Sequence, residues 1–138
     1  MKKIISIVCL IALTVSCLLA FTSCGAPNSD PAKALETLKE NGITWAAKDD
    51  VVIPGLLKIA GVDNIDCVVS GTGKIDDEYA HITIIYFDSA EDAKAEWEDV
   101  QDYAENKKDD DAKDSEWVCK RSGKMIYYGT KNAIAAAK

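Results

Sequence analysis

An apolar run from Ile4 to Phe21, broken only by Ser6, Thr14 and Ser16, precedes a chain that alternates in the manner of a folded domain. Asp30 followed by Pro31 predicts a helix start, with the acid as N-cap and proline at the first helical position. Leu35 and Leu38 give that helix a narrow apolar stripe, and Asn41-Gly42 ends it. Ile43 to Ala47 reads as a short strand, and Pro54 to Ala60, closed by Gly61, as a short helix. Ile65, Cys67 and Val69 alternate with Asp66, Val68 and Ser70, which predicts a strand ending at Gly71-Thr72-Gly73. Tyr79 to Phe87 is β-branched and aromatic on both faces, the signature of a central strand. Ser89 with Asp92 resembles a capping box. Ala90, Ala93, Trp97, Val100 and Ala104 then recur at steps of three and four, predicting one helix to about residue 107. After a charged loop, strands near 116–121 and 124–128 flank a turn at Ser122-Gly123, and Thr130 caps a last helix through Ala137.

This order places the chain in the α+β class, an antiparallel sheet with helices packed on it. Without the first helix and the last two elements it reads β-α-β-β-α-β, the ferredoxin-like order with extra terminal helices. The expected sheet face of Ile65, Cys67, Val69, Ile82, Ile84, Tyr86, Trp117, Cys119, Ile126 and Tyr128 packs on the helix centred at Trp97. The opposite face mixes polar residues with Phe87, Val118 and Tyr127. Either the first or last helix covers it, or those three residues belong to an exposed interaction face.

The N-terminus carries an address. Lys2 and Lys3 precede the apolar run, and Phe21-Thr22-Ser23-Cys24 follows it. This segment resembles the lipobox signal of bacterial lipoproteins. The resemblance covers the first 24 residues and implies that the thiol of Cys24 takes a diacylglycerol and becomes the first residue after cleavage. Cys17 is the poorer alternative acceptor, and an uncleaved anchor would give the same topology, with everything after Cys24 outside the membrane. The organisation implied is a signal peptide over 1–23, a lipidated cysteine and polar tether over 24–30, and one domain over 31–138. The expected location is the extracytoplasmic side of a cell membrane.

All 23 acidic side chains lie beyond the signal, against 16 basic ones in the whole chain, for a net charge of −7. That balance argues against nucleic acid, and against anionic headgroups, as partners of the folded part. Local motifs supply no chemistry. Gly71-Thr72-Gly73-Lys74 lacks the leading glycine and following hydroxyl of a phosphate loop, since Val68 and Ile75 occupy those positions. His81 is the single histidine and has no second ligand at metal spacing. The acid clusters Asp49-Asp50, Asp76-Asp77-Glu78 and Asp109-Asp110-Asp111 lack the alternation and central glycine of a calcium loop and read as solvated loops. No serine stands in a nucleophile elbow, and no metal or cofactor is expected.

Cys67 and Cys119, both on the apolar side of expected strands, leave two states open: a disulfide closing a long loop, or two buried thiols. The sequence as a whole points to a lipid-anchored binding or interaction module with an unnamed protein or small-molecule partner. A surface hydrolase using paired carboxylates and an accessory subunit of an envelope complex are the competing readings.

Overall fold

The computed structural model describes residues 25–108 and 117–138. The signal segment, Cys17, Cys24 and the Asp109-Asp110-Asp111 cluster lie outside the described residues. The elements in chain order are α1 (Pro31–Glu40), β1 (Ala47–Asp49), α2 (Val52–Ile59), β2 (Ile65–Ile75), β3 (Glu78–Phe87), α3 (Ala90–Ala95), α4 (Trp97–Asn106), β4 (Trp117–Ser122), β5 (Met125–Thr130) and α5 (Lys131–Ala136). The α+β class holds: five strands form one sheet in the order β1-β2-β3-β5-β4, with every neighbouring pair antiparallel.

The ferredoxin-like pairing is not what the strands adopt. That arrangement sets helices on one face of the sheet, whereas here both faces are covered. On one side α1 and α5 pack Ala34, Leu38, Ala133 and Ile134 against Cys67, Val69, Ile82, Ile84, Tyr86 and Tyr127. On the other, α2, α3 and α4 pack Leu57, Ala93, Val100 and Ala104 against Val68, Ile85, Phe87, Ile126 and Tyr128. The strand nearest position 43 forms only at Ala47–Asp49 and pairs with β2 alone, so it is an edge strand and cannot take the central place that the ferredoxin-like order requires.

Three local readings change for identifiable reasons. β2 does not stop at Gly71. It runs to Ile75 and turns through Asp76 and Asp77, both at positive φ (52° and 65°), as a two-residue hairpin suits. Gly71 is a glycine because the 43–46 loop crosses there: a Cβ would stand 2.7 Å from Ile43 Cγ2 and 3.0 Å from Ala46 Cβ. In the last hairpin the turn residues are Gly123 and Lys124 and not Ser122-Gly123, so Cys119 pairs with Tyr128 and Lys120 with Tyr127, where the expected turn would have paired them with Ile126 and Met125. A two-residue shift keeps every side chain on its own face. The single expected helix after Ser89 is divided at Glu96 (φ −89°, ψ 2°), while the capping box forms as read: Ser89 Oγ accepts from Asp92 N–H at 3.1 Å and donates to its carboxylate at 2.7 Å.

The parity between sheet halves is also different. Ile84 pairs with Tyr127 and Ile85 with Ile126, so Ile82, Ile84 and Tyr86 share a face with Tyr127 and not with Ile126 and Tyr128. A tight hairpin would have fixed that parity. β3 and β5 are joined instead through two helices and β4, and both faces of β3 are apolar.

Candidate interaction surface

Each residue singled out in the sequence now has a place. Cys67 lies on β2 facing α1 and α5, and Cys119 lies on β4 facing α4. Two strands separate them, about 14 Å at the usual interstrand spacing, and the side chains point to opposite faces. Of the two states left open, the bridge is excluded by the fold, and both are free thiols. Burial pushes each thiol up to about 11, with nearby Asp66 adding to the effect at Cys67 and Glu105 at Cys119. Phe87, Val118 and Tyr127 do not form an interaction face. Phe87 is buried beneath the α3–α4 layer, Tyr127 is buried on the opposite side, and Val118 is half-buried against the same cluster as Tyr127. The expected mixed face is not one surface: its Val68, Ile85 and Phe87 are covered by α2, α3 and α4, and its Val118, Met125 and Tyr127 by α1 and α5.

His81 is part of an aromatic cluster. Its ring stacks on Trp117 at 5.7 Å and on Tyr128 at 6.2 Å, and Thr83 Oγ1 stands 3.4 Å from Nε2. Gly129 lets β5 approach the His81 backbone closely, since a Cβ there would stand 2.0 Å from the His81 carbonyl oxygen. Among the described residues no group of three or more His, Cys, Asp or Glu side chains is placed to hold a metal ion.

The surface that sequence reading missed is α2. Its start depends on Asp49, whose Oδ1 accepts from the N–H groups of Val51 (2.7 Å) and Val52 (2.9 Å) and whose Oδ2 accepts from Ile53 (3.0 Å). These bonds to the ionised form hold the Asp49 carboxyl below its usual range and commit both oxygens to the helix end. Leu57, fully buried, and Ile53, half-buried, turn toward the sheet with Val62. Val52, Leu56 and Ile59, at steps of four and three, form a second apolar stripe that no described residue covers. Ile59 is 86% exposed and Leu56 50% exposed, and Val51 extends the stripe at its N-terminal end.

A helix apolar on both sides is ordinarily buried on both sides. Here the apolar character continues upstream in Trp45, 87% exposed just before the edge strand β1. The signal was legible in principle. Residues 51–59 contain a single charged side chain, Lys58, too few to give a helix a solvated face. Acids border the stretch at Asp49, Asp50 and Asp63. Beside α2 lies a shallow cleft of about 350 Å³ whose walls include Val51, Pro54, Val62 and Ile65.

The stripe and the chain's point of entry sit at opposite edges of the sheet. α2 packs on β1 and β2, whereas Gly25, the first described residue, lines a cleft with Val118 and Lys120 of β4 and with α5. Among the described residues no helix is long and apolar enough to cross a membrane. No family model matches the sequence, and no curated protein or solved structure does.

Proposed function

We propose that this chain is a lipid-anchored extracytoplasmic binding module that engages another envelope protein through the exposed stripe of α2, serving as an accessory subunit. The carrying observation is the set Val51, Val52, Leu56 and Ile59, which lies on α2 and its N-cap and is exposed although wholly aliphatic. Interfaces of lasting complexes are more apolar than those of transient ones, and this stripe has the character of the former. The bordering acids Asp49, Asp50 and Asp63 suit a partner whose apolar groove is rimmed by basic side chains. With the lipid on Cys24, the stripe stands at the sheet edge away from the anchor, which favours a protein over the bilayer as its occupant.

The test compares the native chain with Leu56→Asp/Ile59→Asp, both solubilised from membranes in mild detergent and sized by light scattering. The expected result is a discrete hetero-complex for the native chain and a folded, uncomplexed variant. A native chain that runs alone, or a complex that survives the double substitution, refutes the site. A homodimer lost on substitution reassigns it to self-association.

A further inference from the structure

α2 carries one residue that the fold itself does not account for. Gly55 lies mid-helix on the exposed side, and with Val52, Leu56 and Ile59 it completes the spacing i, i+3, i+4, i+7 of a single helical face. Glycine inside a helix lowers the helix's formation constant about fourfold relative to alanine. At Gly71 and Gly129 another part of the chain comes so close that only glycine fits. At Gly55 no described atom stands within 4 Å of the Cβ that alanine would carry, and φ is not positive.

The helix is also closed at both ends. Asp49 accepts from the N–H groups of Val52 and Ile53, Pro54 has none, and the Gly55 N–H donates to the Val51 carbonyl at 3.0 Å. At the other end Gly61, at φ 96°, donates to the Lys58 carbonyl at 3.0 Å and Val62 to the Leu57 carbonyl at 2.9 Å, a Schellman cap. A partner can lie across this helix without stranding these backbone groups in a dry interface. It meets aliphatic side chains and, at Gly55, bare backbone.

The charges set a direction. Asp50, beside the N-terminal end of α2, and Lys58, in its last turn, line the cleft whose wall includes Gly55. Asp50 is paired with Lys48 at 3.6 Å, an exposed contact that is weak enough to be exchanged for another cation. Helices favour acids in the first turn and bases in the last. Laid antiparallel to α2, such a helix puts its bases on Asp50 and its acids on Lys58, with the two macrodipoles opposed. Asp63, on the same cleft, then meets the positive end of the incoming helix. Laid parallel, the helix sets like charges together.

We infer that the partner meets α2 with an apolar helix, antiparallel to α2 and crossing it at Gly55, where the missing side chain lets the two axes approach to the lower end of the usual range of about 8–10 Å. The inference rests on the binding role proposed for the α2 stripe and gives the partner its form: one wall of its groove is this helix, with bases near Asp50. Gly55 weakens the free domain and strengthens the complex.

The experiment follows the native detergent-solubilised complex by light scattering on dilution, beside Gly55→Ala and Gly55→Leu, and melts each isolated full chain in urea. Gly55→Ala is expected to raise the urea midpoint by about 0.5 M, because the helix gains and nothing is crowded. The same methyl is expected to weaken the complex at least fivefold, and Gly55→Leu to abolish it. Stabilisation together with lost binding separates an interface role from damage to the fold. In a second measurement Asp50→benzoylphenylalanine and Lys58→benzoylphenylalanine, both at exposed positions, are photo-cross-linked in the complex and read by peptide mass. The partner residue reached from position 50 is expected to lie C-terminal to that reached from position 58, by about six to ten residues of helix. A reversed order, or a separation of about five residues or fewer as an extended segment gives, overturns the helix. A complex that tolerates Gly55→Leu unchanged overturns the close approach and leaves the stripe as a binding site. A midpoint lowered by Gly55→Ala shows that the fold itself needs the glycine, and overturns the inference as well. A native chain that forms no complex overturns the stripe and this inference together.

Discussion

Leu56 and Leu57 are adjacent in sequence, yet the structure gives them opposite employment, and the same substitution at each should separate core from surface. Leu57 is fully buried in the cluster with Val62, Val68, Ile85 and Phe87, and Leu57→Ala removes three carbons that the sheet cannot close over. Loss of transfer energy plus the cavity puts the cost near 3 kcal/mol, within the usual range for leucine in a packed interior. Leu56 is 50% exposed and has solvent over half its surface. Truncating it forfeits about 1 kcal/mol of burial at most, and alanine's higher helix propensity returns a few tenths. In urea melts read by near-UV circular dichroism, with a slope of about 1.5 kcal/mol/M, Leu57→Ala should lower the midpoint by about 2 M and Leu56→Ala by less than 1 M. In the partner assay the order reverses, because only Leu56 is available to contact. Equal destabilisation by the two variants would mean that α2 is rotated from the orientation described, and the exposed stripe would lose its basis.

Gly129→Ala should cost more than 3 kcal/mol or prevent folding, since the new Cβ meets a backbone oxygen that cannot move aside and the residue sits at φ +149°. A urea midpoint within 0.5 M of the native protein, roughly 1 kcal/mol, would refute the close approach of β5 to β3. Cys67 and Cys119 should remain thiols, so reduction of the isolated protein leaves its mass unchanged. At pH 8 both should react with a maleimide at least tenfold more slowly folded than in urea, because burial raises each thiol to about 11 and so depletes the thiolate in the native state. A mass gain of two hydrogens on reduction, or equal rates, counts against the separated, buried placement.

Local signals carried much of the fold, and pairing at a distance did not. The Asp30-Pro31 start, the Ser89 cap and the central strand at Tyr79–Phe87 were all legible, because each depends on residues within a few positions of one another. Gly71 misled because glycine in a strand and glycine in a turn look alike until the crossing loop at Ile43 is seen. Cys67 and Cys119 were grouped together because both fall on the apolar phase of their own strands, and no sequence rule carries parity across α3 and α4. The α2 stripe was passed over for a different reason. Apolar residues at helical spacing are read as core, and only the fold shows that no described residue covers one side of this helix.

The pinned stretch from Gly25 to Asn28 bears on how a partner would be found. A domain on a slack leash tumbles, and each encounter must match two bodies in three rotational coordinates. If the proposed lipid on Cys24 is in place, the tied-down leash lets the domain drift in the plane and spin about the membrane normal while restricting its roll. The α2 stripe then travels at a fixed standoff set by the width of the sheet. Four interstrand spacings amount to about 19 Å. For a second protein confined to the same bilayer and presenting its groove at that height, most of the orientational entropy of association has already been lost on anchoring. A contact too small to hold two freely diffusing proteins together can then suffice.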